Sequence, residues 1–90
     1  MEVYVILCDI ETHIDFGTPS YQVREENSIF AGVYSTLNNA ITALKARTKN
    51  LKRDEDDLDD YVCEGDVYYR LEGEYHGSIY KYRIEKTKVM

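Results

Sequence analysis

Asp9, Glu11, His13 and Asp15 stand at every second position after an apolar run. In an extended chain they share one face, and all four residue types can ligate zinc or a hard cation. Positions two apart on a strand lie about 6.6–7 Å apart, so two of them could chelate one ion but four could not without a bend. A strand running out into a polar loop accounts for the same residues, so no metal ligand and no cofactor is expected. Cys8, Cys63, His13 and His76 are the candidates for a thiol nucleophile and its imidazole base. Cys8 lies inside an apolar run, where a buried thiol is inert. No serine sits in a nucleophile elbow and no glycine-rich phosphate loop is present. The expectation is a protein that is not an enzyme.

The acids are unevenly placed. Asp54, Glu55, Asp56, Asp57, Asp59 and Asp60 form one run around Leu58. Counted as a calcium loop from Asp54, the fifth residue is Leu58, and Asp59 takes the place that needs glycine, so the pattern fails. Two other readings of the run are a solvated charge tract and a carboxylate array that enters a cationic groove on a partner in place of nucleic-acid phosphate. Lys45, Arg47, Lys49, Lys52 and Arg53 form a basic segment just before it, and Lys81, Arg83, Lys86 and Lys88 a second. No RNA-binding aromatic signature accompanies them. The net charge of −6 disfavours binding to nucleic acid or anionic membrane by charge alone.

Tyrosine is the compositional outlier, with nine Tyr against two Phe and no Trp. Tyr69, Tyr80 and Tyr82 fit a core face, while Tyr61, Tyr68 and Tyr75 are candidates for exposure. Tyrosine beside charge suits a protein–protein patch, and it also substitutes for Phe in a sheet with a wet rim.

The elements that position these residues follow from periodicity. Ninety residues make one domain with a modest core. Val3 to Ile10 is apolar on both alternating sets, which reads as a central strand covered at least in part on both faces. Glu11 to Asn27 reads as a long polar connection with turn chemistry at Phe16-Gly17-Thr18-Pro19-Ser20 and a short strand extension at Tyr21-Gln22-Val23. Ser28 to Tyr34 is the second strand, with Ser35 or Thr36 as the cap of a helix. Leu37, Ala40, Ile41, Leu44 and Leu51 form an apolar stripe that carries this helix to about Leu51. The spacing Leu58-x-x-Tyr61-Val62 favours a short second helix over a solvated acidic loop. Asp66 to Tyr75 and Ile79 to Thr87 alternate as strands around the turn His76-Gly77-Ser78. The fold class is α+β: a single small domain over residues 1–90, with a four-stranded, mainly antiparallel sheet and one main helix on one face.

Val3-Tyr4-Val5, then Gly32-Val33-Tyr34-Ser35-Thr36, an alanine-bearing helix and a closing Tyr-rich strand resemble a family of small bacterial and phage domains of unassigned function. The resemblance implies a phage, viral or mobile-element source and carries over no catalytic residue. The Asp54–Asp60 insert and the long first connection depart from that family's compact pattern.

The expected function is a non-catalytic, acidic protein-binding or inhibitory module. Asp54, Glu55, Asp56, Asp57, Asp59, Asp60, Tyr61, Tyr68 and Tyr75 would meet a host or cognate protein. Two alternatives are a nucleic-acid accessory protein using the basic helix end and a small metal protein using Asp9, Glu11 and His13. No membrane-spanning run and no signal peptide are visible, so a cytoplasmic location with reduced thiols is the default. An open sheet edge leaves room for a homodimer.

Overall fold

Alternation of apolar and polar side chains builds most of this molecule. The computed structural model describes residues 1–15, 17–53 and 59–88, with the backbone alone over 59–64. In chain order the elements are β1 (Glu2–Ile14), β2 (Gln22–Tyr34), α1 (Leu37–Arg47), β3 (Asp59–Glu64), β4 (Val67–Tyr75) and β5 (Ser78–Lys88). The strands lie in the order β2-β1-β5-β4-β3, and every neighbouring pair is antiparallel. The expected antiparallel α+β sheet of β2, β1, β5 and β4 with one helix is present. β3 adds a short fifth strand at the β4 edge.

One face of the sheet packs under α1. Ile6 and Cys8 from β1, Tyr69 and Leu71 from β4, and Tyr82 and Ile84 from β5 meet Ala40, Ile41 and Leu44 of the helix. Each of these is at most 9% exposed. The helix starts where Thr36 turns into it, and the Thr36 hydroxyl accepts from the Asn39 N–H at 3.1 Å. This satisfies one of the donors that a helix N-terminus leaves open.

Four boundaries differ from the expectation. The helix stops at Arg47, not near Leu51. Thr48 closes it, with its hydroxyl donating to the Leu44 carbonyl at 2.8 Å, and Leu51 then reaches the core from a turn. The Leu51 side chain kept the helical spacing without the helical backbone. The polar connection after Ile10 is mostly strand, because Ile10–Ile14 pair with Gln22–Glu26 and β5 templates the same backbone as far as Thr12. Ladder hydrogen bonds hold these residues without needing apolar side chains. The short acidic helix is absent where the backbone is described, since Asp59–Glu64 is a strand that pairs with β4 through a turn at Gly65, whose φ is +60°. Asp54 to Leu58 lie outside the described residues. Finally, β1 is central but covered by the helix on one face only, leaving Val3, Val5 and Leu7 half-buried on the other.

Cys8 is 3% exposed on the helix side, and burial pushes its thiol above the ordinary value, outweighing a hydrogen bond from Tyr82. In a Cys63→Ser background, an alkylating reagent should label Cys8 at least about 100-fold more slowly in the folded protein than in denaturant, because labelling waits for opening. Mass spectrometry of timed samples measures the ratio, and similar rates would contradict the packing described.

Candidate interaction face

The side of the sheet away from α1 carries a row of charged residues together with exposed Phe30 and Val33. Alternation sends Val5, Leu7, Asp9, Glu11 and His13 of β1 to this face, beside Lys81, Arg83 and Glu85 of β5. Two irregularities in the β1–β2 pairing then shape it.

The first irregularity lies between Ile6 and Leu7, where β2 carries one extra residue. Val5 pairs with Val33 and Leu7 with Phe30, so side chains three positions apart on β2 emerge on the same side. Phe30 is 64% exposed and Val33 51%. With Val5 and Leu7 they form an apolar patch that no described element covers.

The second irregularity lies between Cys8 and Ile10. Here Ser28 adopts a left-handed conformation with φ of +56°. Its N–H donates to Asp9 Oδ1 at 2.7 Å. Arg83 completes the clasp: Nη1 donates to Asp9 Oδ2 at 2.9 Å, Nη2 to Ser28 Oγ at 2.8 Å, and Nε to Glu85 Oε2 at 3.2 Å. A fork of fixed N–H donors suits this three-way contact, and lysine could not reproduce it. Partial burial acts to raise the Asp9 carboxyl. The Ser28 N–H and the Arg83 guanidinium outweigh it and hold the carboxyl below its ordinary value of 3.8.

The sign of the pH effect follows. A carboxyl with a lowered folded pKa stabilises the fold fully above the ordinary carboxylate value and loses that contribution as pH falls through the lower folded value. Asp9→Asn should therefore flatten the fall in unfolding free energy as pH drops below the ordinary carboxylate value. With Asp9 about a third exposed, the acid-side difference should be about 0.5 kcal/mol. Urea melts at several pH values test this, and parallel wild-type and variant slopes would remove Asp9 from the explanation.

Farther along, Glu11 Oε1 lies 3.0 Å from His13 Nε2, and His13 Nδ1 hydrogen-bonds the Tyr21 hydroxyl. Lys81 pairs with Glu11 at 3.7 Å. Asp9, Glu11 and His13 thus share a face as the spacing requires, but their polar groups engage neighbouring side chains. Among the described residues no three His, Cys, Asp or Glu side chains are grouped to hold a metal ion. A shallow depression of about 190 Å3 beside the clasp is lined by Asp9, Arg70, Glu72, Lys81, Tyr82 and Arg83.

The other expected contact residues are scattered. Asp54, Glu55, Asp56 and Asp57 lie outside the described residues. Asp59, Asp60 and Tyr61 fall on β3, opposite Leu71, Arg70 and Tyr69 of β4. Tyr68 is half-buried, edge-on to Tyr4 at 6.2 Å between ring centres, with the Lys86 ammonium 5.7 Å from its ring. Tyr75 is 44% exposed near the β4–β5 turn, against His76. Tyr68 and Tyr75 therefore stand at opposite ends of β4, roughly 23 Å apart at strand spacing. The second basic segment is split between faces and matched by acids, with Arg83 on Asp9 and Glu85, Lys81 on Glu11, and Lys86 on Glu2 at 2.8 Å. β5 is an interior strand, so its lysines guard no edge.

No family model, no curated protein and no solved structure matches this chain. No helix among the described residues is long and apolar enough to cross a membrane.

Reading Ser28 to Tyr34 by strict alternation puts Phe30 and Val33 on opposite faces. The bulge that reunites them has one visible sequence sign, the Ala31-Gly32 pair. Glycine in a strand interior marks such irregularities.

Proposed function

We propose that this protein is a non-catalytic binding module whose partner is another protein, met on the helix-free face of the sheet. The observation that supports this most is the patch of Phe30 and Val33, more than half exposed, beside half-buried Val5 and Leu7. Solvent-facing aromatic and aliphatic side chains on a rigid sheet, rimmed by charge, are what a docking surface requires. The clasp of Asp9, Ser28 and Arg83 fixes the local backbone beside the patch, so little ordering entropy is lost on binding. The acidic run and Tyr75 extend this reading as a second contact region, and an inhibitory role against a host factor belongs to the same proposal. The phage or viral source rests on the strand-to-helix resemblance alone.

The test is affinity capture from an extract of the source cells, with a nuclease-treated sample in parallel. One stoichiometric protein should survive nuclease. Phe30→Ala should then weaken its binding about tenfold or more, the loss typical of a buried aromatic anchor. Charge reversal at Asp56, Asp57 and Asp59 reports separately on the acidic run. Recovery that disappears with nuclease, and falls steeply with salt, would replace this reading with nucleic-acid binding through Lys45, Arg47 and Lys49.

A further inference from the structure

β2 is an outer strand of the sheet, and its two halves differ in kind. From Gln22 to Asn27 it carries Arg24, Glu25 and Glu26, the charged side chains that discourage edge pairing. From Ser28 to Tyr34 it carries no charge and no proline. We propose that this uncharged half pairs with the same stretch of a second copy, antiparallel across a two-fold axis, so that two sheets become one. The proposal deepens the binding reading above, because edge pairing leaves the helix-free face open and doubles it.

The bulge makes a face-matched, two-fold register available here. Phe30 and Val33 face away from the helix, while Ile29 and Tyr34 face the helix side, opposite Cys8 and Tyr4 of β1. Cross-strand partners must lie on the same face of a sheet. A two-fold axis between Ala31 and Gly32 meets that condition, setting Phe30 against Val33 of the second copy and Ile29 against its Tyr34. Moving the pairing by one residue either way sets Phe30 against Gly32 or against Tyr34, and mismatches the faces. Aromatic and β-branched cross-strand pairs are the stabilising ones.

Charge supports the same register. Each copy carries −6, and an axis anywhere in the Glu25–Glu26 region would set glutamates of the two copies against each other. With the axis between Ala31 and Gly32, Glu26 of each copy lies beyond the end of the other's strand, level with Leu37. Two-fold pairing is self-complementary, so every such contact occurs twice. Arg47 Nη1 reaches the Ala31 carbonyl at 3.4 Å, a distance long enough for that contact to give way to a strand N–H.

Sedimentation equilibrium over a wide concentration range tests the pairing on the full chain. The wild type should associate to a dimer and no further. Phe30→Lys and Val33→Glu should each weaken dimerisation at least tenfold while leaving the thermal melt of the dilute protein nearly unchanged, since both positions are exposed. The double variant should recover most of the wild-type association, because each introduced lysine then faces an introduced glutamate of the other copy. A monomeric wild type, unaffected single variants, or a double variant weaker than either single one would each overturn the pairing. A monomer that still captures its protein partner would overturn the dimer and leave the binding reading standing. A dimer that captures no protein would support the pairing and remove the binding reading.

Discussion

Leu44→Ala should destabilise the fold by about 3 kcal/mol, within the range for emptying a fully buried leucine site. Leu44 is fully buried, the more completely enclosed of the two large side chains, with Ile41, that α1 buries in the core. The remaining buried helix residues are Ala40 and Ile41. Eleven residues do not hold a helix in water by propensity alone, so docking through these three side chains and the partly buried Leu37 and Ala43 maintains it. The cavity would open between the helix and the buried face of the sheet, which collapses little. For a domain of this size total stability is about 5–13 kcal/mol, so the loss removes roughly a fifth or more of it. The melting temperature should fall by roughly 15 °C. Guanidinium melts followed by far-UV dichroism give the number. A loss under 1 kcal/mol would mean that the helix is not seated as described.

Gly73→Ala should cost about 2 kcal/mol, through crowding rather than a cavity. Gly73 is buried near the C-terminal end of β4, and a Cβ there would meet Leu51 Cβ at 2.7 Å, Leu51 Cδ1 at 3.1 Å and Arg53 Cγ at 3.3 Å. The nearest of these is a Cβ, which cannot swing aside as a side-chain tip could. The backbone beneath it is pinned as well. Lys52 N–H donates to the Glu74 carbonyl at 2.6 Å and Glu74 N–H to the Lys52 carbonyl at 2.8 Å, while Arg53 Nε donates to the Glu72 carbonyl at 2.9 Å. The chain after the helix therefore lies against β4 at the one position of that strand that lacks a side chain. Leu51→Gly removes the clashing atom, so the double variant should lose less than the sum of the two single changes. Strict additivity would show that Leu51 is not what makes glycine necessary.

These two sites show what could be read in advance. Leu44 was legible because its helical spacing from Leu37, Ala40 and Ile41 needs no tertiary information. Tyr69, Tyr80, Tyr82 and Ile84 were legible for the same reason on strands, through alternation. Gly73 was not, because its role depends on a turn twenty residues earlier passing over it. Leu51 misled in a related way: a helical interval placed it on the right face but with the wrong backbone. Asp59 to Glu64 misled through Tyr61 and Val62, whose spacing is helical and whose β preference the acids around them obscured. At the interaction face, Asp9, Glu11 and His13 share one side, as their spacing gives for an extended chain, but Glu11 and His13 were read as part of the connection and not of the strand that holds them there. Their partners were invisible, since Arg83 and Ser28 lie far along the chain and the clasp needs a bulge. Phe30 and Val33 were hidden by that dependence on bulges too.

The molecule measures 50 × 27 × 21 Å, with a radius of gyration of 14.4 Å. Its long dimension comes from β1 and β2, which run thirteen residues each while the helix covers only part of their length. Beyond Ile10 the pairing of β1 with β2 is carried by ladder bonds and exposed or half-buried side chains, and the buried core lies behind it. The two ends should therefore open at different free-energy thresholds. Around Ile6, Ile84 and Tyr69 the chain opens only when the whole domain unfolds. The far part of the hairpin can fray while that unit stays intact, so amides near Thr12 and Arg24 lose protection first. A partner that gripped only this arm would have to order it, whereas one seated over Val5 and Val33 meets a surface already fixed by the global fold.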